Sequence, residues 1–254
     1  MRTAEWTEAV SVLDRVTAVF EAFTDDDEGL GVSELARRAH LPKSTVSRIA
    51  ADLVEQRLLD RQGDKLFLGV RLFELGQNAE QPRRLRQVAL PVMTDLRDAT
   101  GQTVHLAVLE GTDVVFIAIL RGESTTRPMA RVGSRLPAHA TALGKAILAF
   151  SPPETVERIA FGALARRTSK TVTDPIALVD ELSTIRRSGM AIDREECAPD
   201  YSCTACPILG FGGAPIAAIS VSGPIGAVVP ARTTPALRAA AMTLSRRIGG
   251  GKVH

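Results

Sequence analysis

Between residues 193 and 222 the sequence gathers side chains that could do chemistry: Asp193, Cys197, Cys203, Cys206, Ser220 and Ser222. Cys203-x-x-Cys206, with Cys197 and His139, would supply four ligands for zinc. Against this, Cys203-Thr204-Ala205-Cys206 lies in a strand-like run, where positions i and i+3 point to opposite faces. Cys203 could instead act as a nucleophile with His139 as its base, although no recognised nucleophile motif surrounds it. A third reading makes the thiols small buried hydrophobes. A fourth makes the region a binding pocket. Ser220 and Ser222 alternate with Ile219 and Val221, so both hydroxyls leave the strand on one face. Thr141, Ala142 and Leu143 open a helix whose free amides could hold an anion. Hydroxyls, a thiol and amides around a small cavity suit a small carboxylate. Asp193 would accept from a ligand hydroxyl there, or carry a proton.

A second constellation lies near the N-terminus. Lys43-Ser44-Thr45-Val46-Ser47-Arg48 opens a helix with short hydroxyls and two cations. In a helix-turn-helix the second helix enters the major groove with its N-terminal residues towards the bases. Arg48 has the reach for a bidentate contact to guanine, whereas Lys43 and Arg61 suit phosphates. The competing view is a three-helix packing module with a solvated basic face.

The elements around these residues support the first view. Leu13, Val16, Phe20 and Phe23 share one face of a helix over about Thr7 to Phe23. Ser33 is expected to cap a short helix to Ala39. His40-Leu41-Pro42 breaks the chain before a helix over about Lys43 to Gln56, with Val46, Ile49, Ala50 and Leu53 inward. Arg57 stands where a helix end prefers a left-handed glycine, a substitution costing about 1 kcal/mol. Two apolar runs around Gln62-Gly63-Asp64-Lys65 read as a hairpin. Three helices and a hairpin make a winged helix. A linker helix over 70–84 follows, and a helix over Leu85 to Thr100 opens a second domain with a possible bend at Pro91.

In that domain a hairpin spans Thr103 to Leu120, and strands return at 190–193, 202–209 and 214–222. Helices are expected near Ala142–Ala149, at Pro152–Phe161 capped by Ser151 with Glu154 three residues on, at Pro175–Ser188, and from Thr234 to Arg247. Strands and helices without βαβ alternation indicate an α+β sheet covered by helices. The expected organisation is a DNA-binding domain at 1–69, the linker at 70–84, an effector domain at 85–248 and a flexible tail at 249–254.

The composition permits this and excludes other classes. A 254-residue chain with 45% hydrophobic and 24% charged residues can fill two modest cores. One Trp and one Tyr argue against an aromatic nucleic-acid platform, where bases stack on exposed rings. The net charge of +2 is small, but residues 37–65 hold seven basic side chains against four acidic ones, after an acidic run at 25–28. That run must face away from DNA phosphates. With no 18-residue apolar stretch and no leader pattern, a cytoplasmic protein is expected, with no membrane partner. An odd cysteine count in such a chain does not read as a disulfide framework.

The chain resembles the IclR family of bacterial transcription regulators over nearly its full length. The resemblance rests on Gly31-Val32-Ser33-Glu34-Leu35-Ala36, on Leu41-Pro42-Lys43-Ser44-Thr45-Val46-Ser47-Arg48 and on Phe67-Leu68-Gly69. It is strongest at Gly133–Ala146, which contains Leu136-Pro137-Ala138-His139-Ala140-Thr141-Ala142-Leu143-Gly144-Lys145, and at Ala218-Ile219-Ser220-Val221-Ser222-Gly223-Pro224. It implies a winged helix-turn-helix joined by a linker helix to a GAF-like effector-binding domain, in dimers and often tetramers on partly palindromic operators. It also implies a small carboxylate held at Asp193, Cys203, Ser220 and Ser222, with help from the amides near Ala142 and Leu143. DNA contacts are expected from Lys43, Ser44, Thr45, Ser47, Arg48 and Arg61. No residue is assigned to catalysis, to a metal or to a cofactor. The alternatives are a cysteine-dependent hydrolase or transferase, and a thiol or zinc sensor on the same fold. Arg57 replaces the family's usual glycine, and Cys197 and Pro199 sit in a segment that varies across the family.

Overall fold

The structure is a computed structural model that describes residues 11–24, 27–123, 130–228 and 230–249. The first ten residues, Asp25 and Asp26 of the acidic run, and the tail after Gly249 lie outside this description. The chain divides into two compact units, up to Glu80 and from Gln81.

In the first unit, α1 (Val12–Glu21) is followed by β1 (Leu30–Gly31), α2 (Val32–Arg38), α3 (Lys43–Glu55), β2 (Leu59–Gln62), β3 (Lys65–Leu68) and α4 (Val70–Gln77). Ser11 and Asp14 close a reciprocal capping box on α1. Val19, Leu35, Val46 and Ala50 from the helices and Leu59 and Leu66 from the strands are buried in one core. Strand order is β1-β3-β2, all antiparallel.

Two turns orient α3. His40, between α2 and α3, has φ +53°, and Leu41 N–H reaches back to the Ala36 carbonyl. Arg57 takes the left-handed position at φ +57°, with Leu58 N–H bonded to the Leu53 carbonyl. Gly69 lies against that turn, where a Cβ would come within 2.3 Å of the Arg57 carbonyl oxygen. The expected cap at Ser33 is not made. Gly31 is the N-cap instead, because the chain enters α2 directly from its pairing with Lys65.

In place of one linker helix over 70–84, α4 ends at Gln77 and α5 runs over Glu80–Thr100. Pro82 explains the restart, since a first helical turn has no use for the missing N–H. Helix α5 continues through Pro91.

The second unit continues with β4 (Thr103–Glu110), β5 (Asp113–Leu120), β6 (Arg135–Pro137), α6 (Ala142–Leu148), α7 (Pro153–Ala160), α8 (Pro175–Ser188), β7 (Ala191–Arg194), β8 (Tyr201–Leu209), β9 (Pro215–Pro224) and α9 (Pro230–Gly249). Six antiparallel strands form one sheet in the order β6-β5-β4-β9-β8-β7. One face packs on α5 and α9 through Met93, Leu96, Ile208, Ile219, Leu237 and Leu244. The other packs on α6, α7 and α8 through Ala107, Leu143, Ile147, Leu178, Leu182 and Ala205. The result is a three-layer α+β domain.

Two helix starts differ from expectation. The Ser151 hydroxyl donates to the Ile147 carbonyl of the preceding helix, 3.0 Å away, so Pro152 is the N-cap of α7. Helix α9 begins at Pro230 rather than Thr234, with Pro235 inside it.

Candidate effector and DNA sites

Strand register gathers the expected pocket residues. Asp193 pairs with Cys203, Cys203 with Ser222, and Ser222 with Thr103, giving one row across β7, β8, β9 and β4. The next row on the same face is Ala191, Ala205, Ser220 and His105. Asp193, Cys203, Ser220 and Ser222 therefore share one face, and α6 covers it. All four are buried.

Their polar groups differ in how well they are satisfied. The Ser222 hydroxyl lies 3.1 Å from His105 Nδ1 and 3.1 Å from the Tyr201 hydroxyl. Among the described residues the buried Ser220 hydroxyl has no hydrogen-bond partner beyond the weakly bonding Cys203 thiol. Orphaned buried hydroxyls are rare enough to need an explanation, and a bound ligand is one. Asp193 Oδ1 accepts from the Glu196 amide at 2.7 Å. Burial still pushes its carboxyl up to about 7. Burial pushes His105 down to about 4, so its imidazole is neutral near pH 7.

At the start of α6 the Thr141 hydroxyl caps the helix, accepting from the Gly144 amide at 3.1 Å. Thr141 can thus contribute only through its backbone, while the Ala142 and Leu143 amides lack helical acceptors by geometry. Gly144 sits against the turn at Ala138, where a Cβ would fall 2.2 Å from the carbonyl oxygen.

The thiols are poor nucleophiles and do not form one chelating group. Cys203 faces α6 and Cys206 faces α5 and α9. Burial raises all three thiols, Cys197 and Cys206 to about 11. His139 lies 3.1 Å from the Ala165 carbonyl through Nε2. Among the described residues no cluster of His, Cys, Asp or Glu could hold a metal ion.

Two features of this face escaped sequence reasoning. His105 and Tyr201 read as one polar residue in an apolar run and one strand aromatic, and only cross-strand register places them at Ser222. Lys145, in the middle of α6, is fully buried and bonded to Glu181 and Glu196. A lysine in so apolar a helix was the available signal.

On the first unit, Lys43, Ser44, Ser47, Arg48 and Arg61 are exposed and Thr45 is partly so. Helix α3 begins after Pro42 with no side-chain cap, leaving its first amides free for an anion. The basic residues divide into two sets. Arg37 and Arg38 are held by Glu34 and Asp27 at 2.6–2.8 Å. Lys43, Arg48 and Arg61 make no ion pair among the described residues.

Residues 77–248 match the model of the IclR C-terminal domain of bacterial transcriptional regulators, and residues 12–63 match the IclR helix-turn-helix domain. The chain belongs to the IclR family. Its relatives include the HTH-type transcriptional regulator BhcR of Paracoccus denitrificans, 34% identical over 87% of this chain and 80% of that protein. The transcriptional repressor IclR of Escherichia coli is 32% identical over 91% of this chain and 86% of its own length. A solved structure of an IclR homolog from Microbacterium hydrocarbonoxydans, complexed with 4-hydroxybenzoate, is 35% identical with a TM-score of 0.86. That match covers 95% of this chain and 100% of the other. The IclR of Thermotoga maritima, 29% identical, covers 93% of this chain and 98% of its own at a TM-score of 0.75. The IclR family fold is thus established here: a helix-turn-helix domain, which is a DNA-binding module, before an effector-binding domain. No helix among the described residues is long and apolar enough to cross a membrane.

Proposed function

We propose that the protein is a cytoplasmic transcriptional regulator whose operator affinity is set by a small carboxylate bound between the sheet and α6. The observation that carries this reading is the orphaned Ser220 hydroxyl, buried beside Cys203 and Ser222 on the face that also holds Asp193. Ser220, Ser222 and Cys203 offer polar contacts, Asp193 closes one side, and the Ala142 and Leu143 amides, set by the Thr141 cap, assist. The solved relative with 4-hydroxybenzoate makes an aromatic carboxylate the first class to try.

In the other unit, Arg48 and Ser47 read bases while Lys43, Ser44, Thr45 and Arg61 hold phosphates. Palindromic operators call for a homodimer, or a tetramer of two such dimers. Effector and operator each favour one arrangement of the paired winged helices, so each must change the affinity of the other by the same factor. This is a binding role. The raised Cys203 thiol argues against a hydrolase or transferase that would use it as a nucleophile.

A thermal-shift screen against small organic acids tests the pocket. A binder of the native state at 100 times its Kd adds about 2.7 kcal/mol of apparent stability. The shift should vanish in Ser220→Ala and Asp193→Ala. Equal shifts in those variants would place the ligand elsewhere.

A further inference from the structure

The buried cation beside the effector face, Lys145, is already taken. Lys145 Nζ lies 2.8 and 2.9 Å from the two Glu181 oxygens on α8, and 2.5 Å from Glu196 Oε2 in the turn after β7. An ammonium has three donors, and all three are accounted for. In the segment before α8, Arg167 Nε donates to the Cys197 carbonyl and Lys170 pairs with Glu195. Arg194 follows Asp193 in β7 and so leaves the opposite face.

The groups facing Asp193 come from each element packed against it. The turn supplies Glu196 and Cys197, α6 supplies Lys145, and α8 supplies Glu181 behind it. Strand β8 supplies Cys203 and Tyr201, both protonated near neutral pH because burial raises them. Strands β9 and β4 add hydroxyls and the neutral His105. Among the described residues the carboxyls of Asp193, Glu196 and Glu181 therefore surround one buried ammonium before any ligand arrives. Among the described residues, a ligand carboxylate would enter with no buried cation free to meet it, at a heavy desolvation cost.

We propose that the site takes a small monocarboxylic acid together with one proton, shared between the ligand carboxylate and Asp193. This rests on the carboxylate reading above. The bound pair is one neutral carboxyl donating to one carboxylate, with the proton drawn from solvent whenever Asp193 is ionised beforehand. Dicarboxylates and phosphate esters carry a further negative charge that no buried cation on this face among the described residues can balance, so they are excluded. The unpartnered Ser220 hydroxyl is free to donate to the same ligand. With the free Asp193 carboxyl held at about 7, the proton is at hand near neutrality. Affinity then falls tenfold per pH unit above that value and levels off below it.

The test is calorimetric titration of the full chain with acetate, lactate, benzoate and 4-hydroxybenzoate. Each is run between pH 6 and 8.5 in two buffers of different ionisation enthalpy, beside malonate and phthalate. The expected result is a monocarboxylate that takes up close to one proton at pH 8 and binds about tenfold more weakly at pH 8.5 than at 7.5. Asp193→Asn should flatten the pH dependence, and the dicarboxylates should not bind. A monocarboxylate that binds equally at pH 6 and 8.5 without proton uptake, or a dicarboxylate that binds as tightly, overturns the proposal while the carboxylate reading stands. If no monocarboxylate binds at any pH, that reading falls and this proposal with it.

Discussion

His105 Nδ1 and the Ser222 hydroxyl lie 3.1 Å apart on adjacent strands of the effector domain, with the Tyr201 hydroxyl 3.1 Å from the same oxygen. The His105 ring also meets Phe116 edge to face, at a centroid distance of 5.4 Å. A neutral imidazole held on two sides fixes how the Ser222 hydroxyl points, and so how it can meet a ligand.

His105→Phe keeps a ring against Phe116 and removes the hydrogen bond. On the present account it weakens effector binding about fivefold, the equivalent of about 1 kcal/mol for one hydrogen bond. Unchanged affinity in a folded variant would reduce His105 to a packing residue.

Stability should depend on pH through two groups of opposite sign. Asp193 rises from 3.8 to about 7 on folding, so its contribution is full below about pH 4 and is lost as pH climbs through 7. His105 falls from 6.5 to about 4, so its contribution is full above pH 6.5 and is lost as pH drops towards 4. Between those limits the two slopes cancel. Asp193→Asn removes one of them, so the stability of this domain should climb with pH by about 1.4 kcal/mol per unit more than in the parent protein. Urea unfolding at pH 4.5, 5.5 and 6.5 measures this. Parallel trends in the two proteins would contradict it.

Gly144→Ala should destabilise the effector domain by about 1–3 kcal/mol, as overpacking does. The added methyl meets backbone at Ala138 rather than a movable side chain, with 2.2 Å to the carbonyl oxygen. A drop in the thermal midpoint of this domain checks it, and an unchanged midpoint would show that the turn at Ala138 gives way.

On DNA, Arg48→Ala should cost about 1–3 kcal/mol at one operator position and relax the sequence preference there. Lys43→Ala should weaken all sequences alike and lower the salt slope by about one unit. Arg37→Ala serves as the contrast, because Glu34 already holds that guanidinium at 2.6 Å. Anisotropy titrations on operator and scrambled duplexes separate the three cases.

What the sequence made legible follows from periodicity and from special residues. Alternation put Ser220 and Ser222 on one face, and strand geometry set Cys203 and Cys206 on opposite faces, as they are. Arg57 does take the left-handed turn. Tertiary contacts were not legible. Ser33 and Ser151 look like caps locally. However, strand pairing at Gly31 and the Ile147 carbonyl decided both helix starts. Likewise Lys145, Glu181 and Glu196 are 36 and 51 residues apart in sequence, so only the folded chain brings them together.

The central claim is that an acid bound at Ser220 changes affinity for DNA. Anisotropy titration of a duplex from the protein's own promoter region, with and without 4-hydroxybenzoate or whichever monocarboxylate binds most tightly, measures it directly at low salt. The account predicts a 5- to 150-fold change in operator Kd, the usual range of such couplings, in the parent protein. It predicts an unshifted Kd in Ser220→Ala, which should still bind the duplex. An operator Kd indifferent to every acid that binds the protein, or shifted equally in Ser220→Ala, would contradict it.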